Sequence, residues 1–172
     1  MSPSGTYAST SPSDAAVALR TFPRRYRSVL QPIEDDNVDE WAHCVSASGT
    51  SAFDHLVQAS RGITVLHQAL RQALNASEPP TLPPAVLDES ARGFDTSQGG
   101  SVDAELDLLA DEAVAMATTI SDAPGAAWKR TATVAGGGGE VTTLQIAQEA
   151  VRTGVTHLKA AQQTFDEARR QS

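Results

Sequence analysis

The sequence is poor in several things at once, and each shortage removes a class of function. Cys44 is its single cysteine, so no internal disulfide can form and no multi-cysteine zinc site can be built. Basic residues are scarce: 13 Lys plus Arg stand against 21 Asp plus Glu, a formal net charge of −8. A phosphate backbone is bound chiefly by basic side chains that release counterions, so nucleic acid is not the expected partner. No run approaches the ~18 to 20 apolar residues needed to cross a bilayer. The opening MSPSGTYASTSPSD has neither a basic start nor an apolar stretch of the signal-peptide kind, and residence in the cytoplasm is expected.

What remains suits one domain. A chain of 172 residues buries roughly 70% of the surface exposed when unfolded, enough for one hydrophobic core. Residues 1–13 are mostly Ser, Thr, Pro and Gly, with little to bury, and predict a disordered, flexible N-terminal tail ahead of a domain spanning 14–172.

Four helical segments follow. From Asp14, apolar residues Leu19, Phe22, Tyr26, Val29 or Leu30, and Ile33 recur at helical spacing in a helix that ends near Pro32, with Pro23 expected in a first turn or at a break between two short helices. Acidic Glu34-Asp35-Asp36 then reads as loop. Ser51 and Asp54 form a capping signal ahead of a second helix carrying Phe53, Leu56, Ile63, Leu70 and Leu74. The doubled prolines Pro79-Pro80 and Pro83-Pro84 end it and open a long connection over 78–100. Ser101 starts a third helix, with Asp103 and Glu105 against its positive end and a stripe through Leu106, Leu109, Ala113, Met116 and Ile120. Pro124-Gly125 stops it. A short extended excursion or hairpin is expected between Trp128 and Glu140, turning at Gly136 to Gly139, before a Thr142/Gln145 capping box opens a last helix to about Arg170. Four such stripes bury one another only as an all-α four-helix bundle, and the long connection between the second and third helices permits a crossover.

The order and spacing of four stretches resemble the DinB-like superfamily. They are ALRTFPRRYRSVL (18–30), SAFDHLVQAS (51–60), the Trp128-Lys129-Arg130 group, and TTLQIAQEAVRTGVTHL (142–158). Relatives include metal-dependent hydrolases and the mycothiol-dependent maleylpyruvate isomerases of actinobacteria. The resemblance implies a divalent metal held by one histidine of the second helix and two of the last. Aligned by pattern, those positions hold Gln58, Arg152 and Thr156. Gln and Thr are weak ligands for a transition metal, and a guanidinium repels a cation, so no metal is expected in that triad. A site shifted to His55 and His157, taking Zn, Ni or Mn, is the alternative, although one residue of a helix turns a side chain by about 100°.

Arg152 and Thr156 share a helix face. With Gln58, and with Trp128 and Arg130 at the cleft mouth, they make a candidate site for a small anionic ligand. The bland counterpart is an arginine on the flank of the bundle paired to an acid such as Asp54. His67 reads as a core or boundary histidine, and a lone His157 as a packed or surface residue. The glycine run lacks the Lys-Ser/Thr of a phosphate loop. Two rival functions stay open: a metal- or thiol-dependent transferase or isomerase of the mycothiol type, implied by the resemblance, and an interaction module that forms a homodimer.

Overall fold

A computed structural model describes residues 7–32, 37–93 and 100–172. Its elements are α1 (Pro12–Leu30), α2 (Val38–His43), α3 (Ala52–Asn75), β1 (Thr81–Leu82), α4 (Val102–Asp122), β2 (Thr131–Val134), β3 (Gly139–Thr142) and α5 (Thr143–Gln171), with tight 3-10 turns at Pro84–Val86, Glu89–Arg92 and Gly125–Lys129. The four long helices are α1, α3, α4 and α5.

Three of those helices start on capping boxes. Ser11 with Asp14, Ser51 with Asp54, and Thr142 with Gln145 each exchange side-chain and backbone bonds, satisfying donors that a helix start leaves without a partner. Ser101 caps α4 by accepting from Ala104 N–H. Pro23 lies inside α1, so the expected break is absent. Leu19 and Phe22 before it, and Tyr26 and Leu30 after it, are all fully buried; their shared packing on both sides of the proline offsets the roughly 3 kcal/mol that an interior proline costs. Helix α2 was not anticipated. Six residues give no readable period, yet Trp41 and Ala42 are buried.

The first six residues of the expected tail, and the acidic residues 34–36, lie outside the described residues. From Tyr7 onward the chain is fixed: Tyr7 packs against the core, and Gln148 Nε2 donates to the carbonyls of Ala8 and Thr10.

Helix α3 packs on α4 and α5, and α1 packs on α4 and α5. Cross-contacts fix the directions. Arg20 meets Ser121 while Arg27 meets Asp107, so α1 and α4 are antiparallel. His55 meets His157, while an added Cβ on Gly62 would meet Thr153, so α3 and α5 are antiparallel as well. The His67 contacts to Glu112 and Thr119, with Gly100 against Phe53 near the helix starts, place α3 and α4 parallel. Parallel neighbours consecutive in sequence require the chain to return along the whole bundle between them, which is the crossover that the 78–100 connection provides.

That return has two parts. Near the end of α3, β1 pairs in parallel with β2, and β2 pairs antiparallel with β3. The β2–β3 hairpin turns on Gly136 and Gly137 at φ +73° and +83°, values glycine adopts without penalty, and it buries Ala132, Val134 and Val141. Residues 84–92 then lie across the groove between α3 and α5, and this strap positions the site described next.

Candidate functional site

Arg92, in the last turn of the strap, has a side chain only 3% exposed. Its guanidinium donates to the carbonyls of Ala85 (2.9 Å) and Val86 (3.4 Å), to Thr153 Oγ1 (3.1 Å) and to Glu149 Oε1 (3.3 Å). Gly62 makes room for it: a Cβ there would stand 3.1 Å from Arg92 Nη1 and 2.7 Å from Thr153 Cγ2. Glu149 also accepts from Arg152, from Nε at 2.7 Å and from Nη2. One carboxylate therefore serves two guanidiniums, and the bond to Glu149 holds Arg152 protonated beyond the ordinary arginine range.

One turn further along α5, His157 is buried and donates from Nε2 to Glu89 Oε1 of the strap. A carboxylate accepts only, so Nε2 of His157 carries the donated proton, and in the neutral ring Nδ1 is left with a lone pair. His55 Nδ1 lies 3.3 Å from His157 Nδ1, and with His157 neutral it is His55 that donates. The ring centroids are 5.6 Å apart. That exceeds the nitrogen separation by about the two ring radii, so the nitrogens meet head-on. Nε2 of His55 faces Thr50 Oγ1 at 3.4 Å. Glu89, His157, His55 and Thr50 thus form one chain. The hydrogen bond from His157 holds the Glu89 carboxyl below the usual carboxylate range, against the effect of burial.

Burial, with a smaller contribution from His157, pushes the His55 imidazole below its ordinary 6.5, while Asp54 and Glu89 pull the other way. A histidine depressed in the folded state favours the fold when neutral, and its contribution is lost as pH falls below the unfolded value. Glu89, depressed from 4.5, loses its contribution at lower pH still. Thermal melts from neutral pH to well below the ordinary glutamate range are therefore expected to show stability declining in two stages, with His55→Gln removing the first. A wild-type melting temperature that is flat through the His55 range would contradict the assignment.

The residues proposed from sequence are distributed unevenly. His55 and His157 come together, as do Arg152 and the groove. Gln58 is half-buried on α3, one turn from His55, and Thr156 is exposed on α5. Asp54 caps Ser51 N–H, so the expected Asp54 partner of Arg152 is replaced by Glu149. Arg130 is tied to the other end of α3 through the carbonyls of Leu74 and Ala76, roughly 30 Å along the helix from His55. Trp128 is half-buried beside the core in the turn that precedes Arg130. An open groove of about 500 Å³ lined by Gln68, Arg71, Gln72, Asn75, Ala76 and Pro80 lies at that same distant end. His67 is the boundary histidine expected, bonded to Glu112 and to Thr119. Trp41 buries its ring edge-on to Phe165 and donates to Ser172 Oγ.

Sequence reasoning missed Glu89, Arg92 and Glu149. The one available signal was Gly62, a glycine inside a long helix, where glycine is costly and usually marks a close approach.

The fold matches a solved structure. YfiT from Bacillus subtilis, described as a probable metal-dependent hydrolase with an unusual four-helix bundle topology, superposes with a TM-score of 0.72 at 12% identity, over 95% of this chain and 92% of that one. This chain has a DinB-like fold. The four-helix bundle expected from capping and periodicity is thereby borne out, as is the fold that the resemblance implied, and its long helices run up-down-down-up. No family model and no curated protein matches the sequence. Among the described residues, no group of three or more His, Cys, Asp or Glu side chains is placed to hold a metal ion, and no helix is long and apolar enough to cross a membrane.

Proposed function

We propose that this DinB-like bundle binds a small anionic molecule in the groove between α3 and α5, and that it does so in place of the divalent metal of its superfamily. The reading rests on Arg152. Its side chain is 37% exposed, and Glu149 takes only its Nε and Nη2. A guanidinium has five N–H donors in a planar fork, so the Nη1 edge is left to receive a carboxylate or phosphate oxygen in a charge-assisted bond. The buried Arg92 sharing Glu149 adds positive charge behind it.

The donor set argues against a metal at the same place. Of the three pattern-aligned positions, Gln58 offers a weak neutral oxygen, Arg152 a fixed positive charge, and Thr156 a hydroxyl exposed to solvent. An ion bridging His55 and His157 needs about 2.0 to 2.1 Å to each nitrogen, whereas the two nitrogens stand 3.3 Å apart, so the rings would have to part to admit one.

The test is calorimetric titration of the purified, untagged chain with inorganic phosphate and with a small dicarboxylate, alongside metal analysis after exposure to zinc, nickel and manganese. Saturable anion binding is expected, weakened about tenfold or more by Arg152→Ala, as losing one charge-assisted bond implies. Glu149→Gln, which removes the competing internal carboxylate, is expected to tighten it. A metal retained near one equivalent that raises the melting temperature would overturn the reading, as would anion binding indifferent to Arg152.

A further inference from the structure

We propose that Glu89, His157 and His55 form a relay that turns the Thr50 hydroxyl into a nucleophile toward small carboxylic esters. The inference does not depend on the anion site. It comes from a run of polar contacts linking three separate parts of the chain: Glu89 on the strap, His157 on α5, and His55 with Thr50 at the start of α3. With Glu89 fixing the proton on Nε2 of His157, the Nδ1 of His157 accepts from His55 Nδ1–H. The remaining nitrogen of His55, Nε2, is then unprotonated and directed at a hydroxyl. This is the logic of a nucleophile beside a base that a third group orients, with one extra imidazole in the line.

The hydroxyl is itself held. Thr50 Oγ1 stands 3.0 Å from Ser48 Oγ, which is 2.7 Å from Ser46 Oγ. The loop is closed by Ser46 N–H on the Thr50 carbonyl and by Gly49 N–H on the Ser46 carbonyl, both at 2.9 Å. Gly49 sits at φ +83°, so the turn that presents Thr50 depends on glycine there. Thr50 is half-buried, Ser48 is exposed, and the approach is therefore from solvent. The 3.4 Å between Thr50 Oγ1 and His55 Nε2 is of the looser kind seen before substrate binds. Thr50 immediately precedes the capped start of α3, where the helix dipole favours the negative charge that develops on an attacked carbonyl.

The first half-reaction forms a bond from Thr50 Oγ1 to the acyl carbon and breaks the ester C–O bond. The hydroxyl proton passes to His55 Nε2, and the imidazolium so formed keeps its Nδ1–H on His157 Nδ1, with His157 held in turn by the Glu89 carboxylate. From His55 Nε2 the proton is given to the departing alkoxide, leaving an acyl-Thr50. In the second half, water adds to that acyl carbon, its proton taken by His55, and the Thr50–acyl bond breaks to give the free acid and the restored hydroxyl. Thr50 and His55 touch the reacting atoms. His157 and Glu89 act through them as positioning residues.

The test uses the full chain with p-nitrophenyl acetate, following p-nitrophenolate release and mapping acetylated peptides by mass spectrometry. An acetyl group on Thr50 is expected, with release above the buffer rate. Thr50→Val should abolish both. His55→Gln and Glu89→Gln should lower release by about a hundredfold, the scale of a lost general base, while Glu89→Asp restores part of it, as loss of a merely structural contact would not. Thermal melts of each variant separate lost chemistry from lost folding, and Thr50, in a surface loop, is the variant least dependent on packing. Release at the buffer rate without acetyl-Thr50, acetylation confined to lysine or the terminal amine, or release unchanged in Thr50→Val would each overturn the proposal.

Discussion

Replacing Arg92 by alanine is expected to cost about 3 kcal/mol of stability and to release the strap across the α3–α5 groove. The magnitude follows from what the guanidinium does. It is almost wholly buried, it satisfies two strap carbonyls and Thr153, and it is one of the two partners of Glu149. Breaking a buried pair by removing one member costs about 3 to 5 kcal/mol, because the other is left without compensation. Here Glu149 retains Arg152, which places the loss at the lower end. Lysine is not a rescue, since one ammonium cannot reproduce a planar fork reaching several acceptors at once. Urea unfolding gives the stability, and amide exchange over residues 84–92 reports the strap. Wild-type protection in Arg92→Ala would mean that the strap is held by something other than this network.

Gly154→Ala is expected to lower stability by about 2 kcal/mol, although alanine is the better helix former by about 1 kcal/mol. A Cβ at 154 would stand 2.5 Å from Cζ and 2.9 Å from Cδ2 of Phe22, and closer still to Cε2. Phe22 is fully buried and packs edge-on against Tyr26, whose hydroxyl donates to the Gly154 carbonyl at 2.6 Å. The ring cannot retreat without disturbing that bond, and overpacking of this kind costs about 1 to 3 kcal/mol or more. For a domain of this length the melting temperature should fall by about 4 to 8 °C. Phe22→Leu in the same chain should recover part of the loss, because removing ring atoms relieves the overlap. Additive losses in the double variant would show that the two residues do not meet as described.

The two predictions probe different contacts of α5. Gly154 seats α1 against it, with Phe22 and Tyr26 as the contacting side chains. Thr153 and Glu149, on the α3 side, receive the strap. A shared helix explains why the bundle and the candidate site are not independent: α5 carries the core stripe and, on neighbouring positions, the polar groups facing the groove.

How much of this was legible depended on range. The starts of α3, α4 and α5 were readable because capping is local: Ser51 reaches Asp54, Ser101 reaches Ala104, and Thr142 reaches Gln145 within one turn. The hairpin was readable because its glycines and threonines signal a turn between extended segments. The continuity of α1 through Pro23 was not, because local propensity opposes it and only burial of Leu19, Phe22, Tyr26 and Leu30 by other helices overrides that cost. Helix α2 was too short to show a period.

The site divided the same way. Pattern pointed to Gln58, Arg152 and Thr156, and the fold kept Arg152 in the groove while leaving Thr156 in solvent. His55 and His157, separated by 102 positions, meet because α3 and α5 pack antiparallel in one register. A shift of a single residue would turn each ring by about 100°. By itself, then, the sequence determined the starts of α3, α4 and α5, their caps and the presence of a long connection between α3 and α4, since these follow from residues close together in the chain. Only the tertiary structure decided that the return would lay Glu89 and Arg92 over the groove, and that two histidines would meet head-on, because such contacts arise from the relative rotation and register of packed helices.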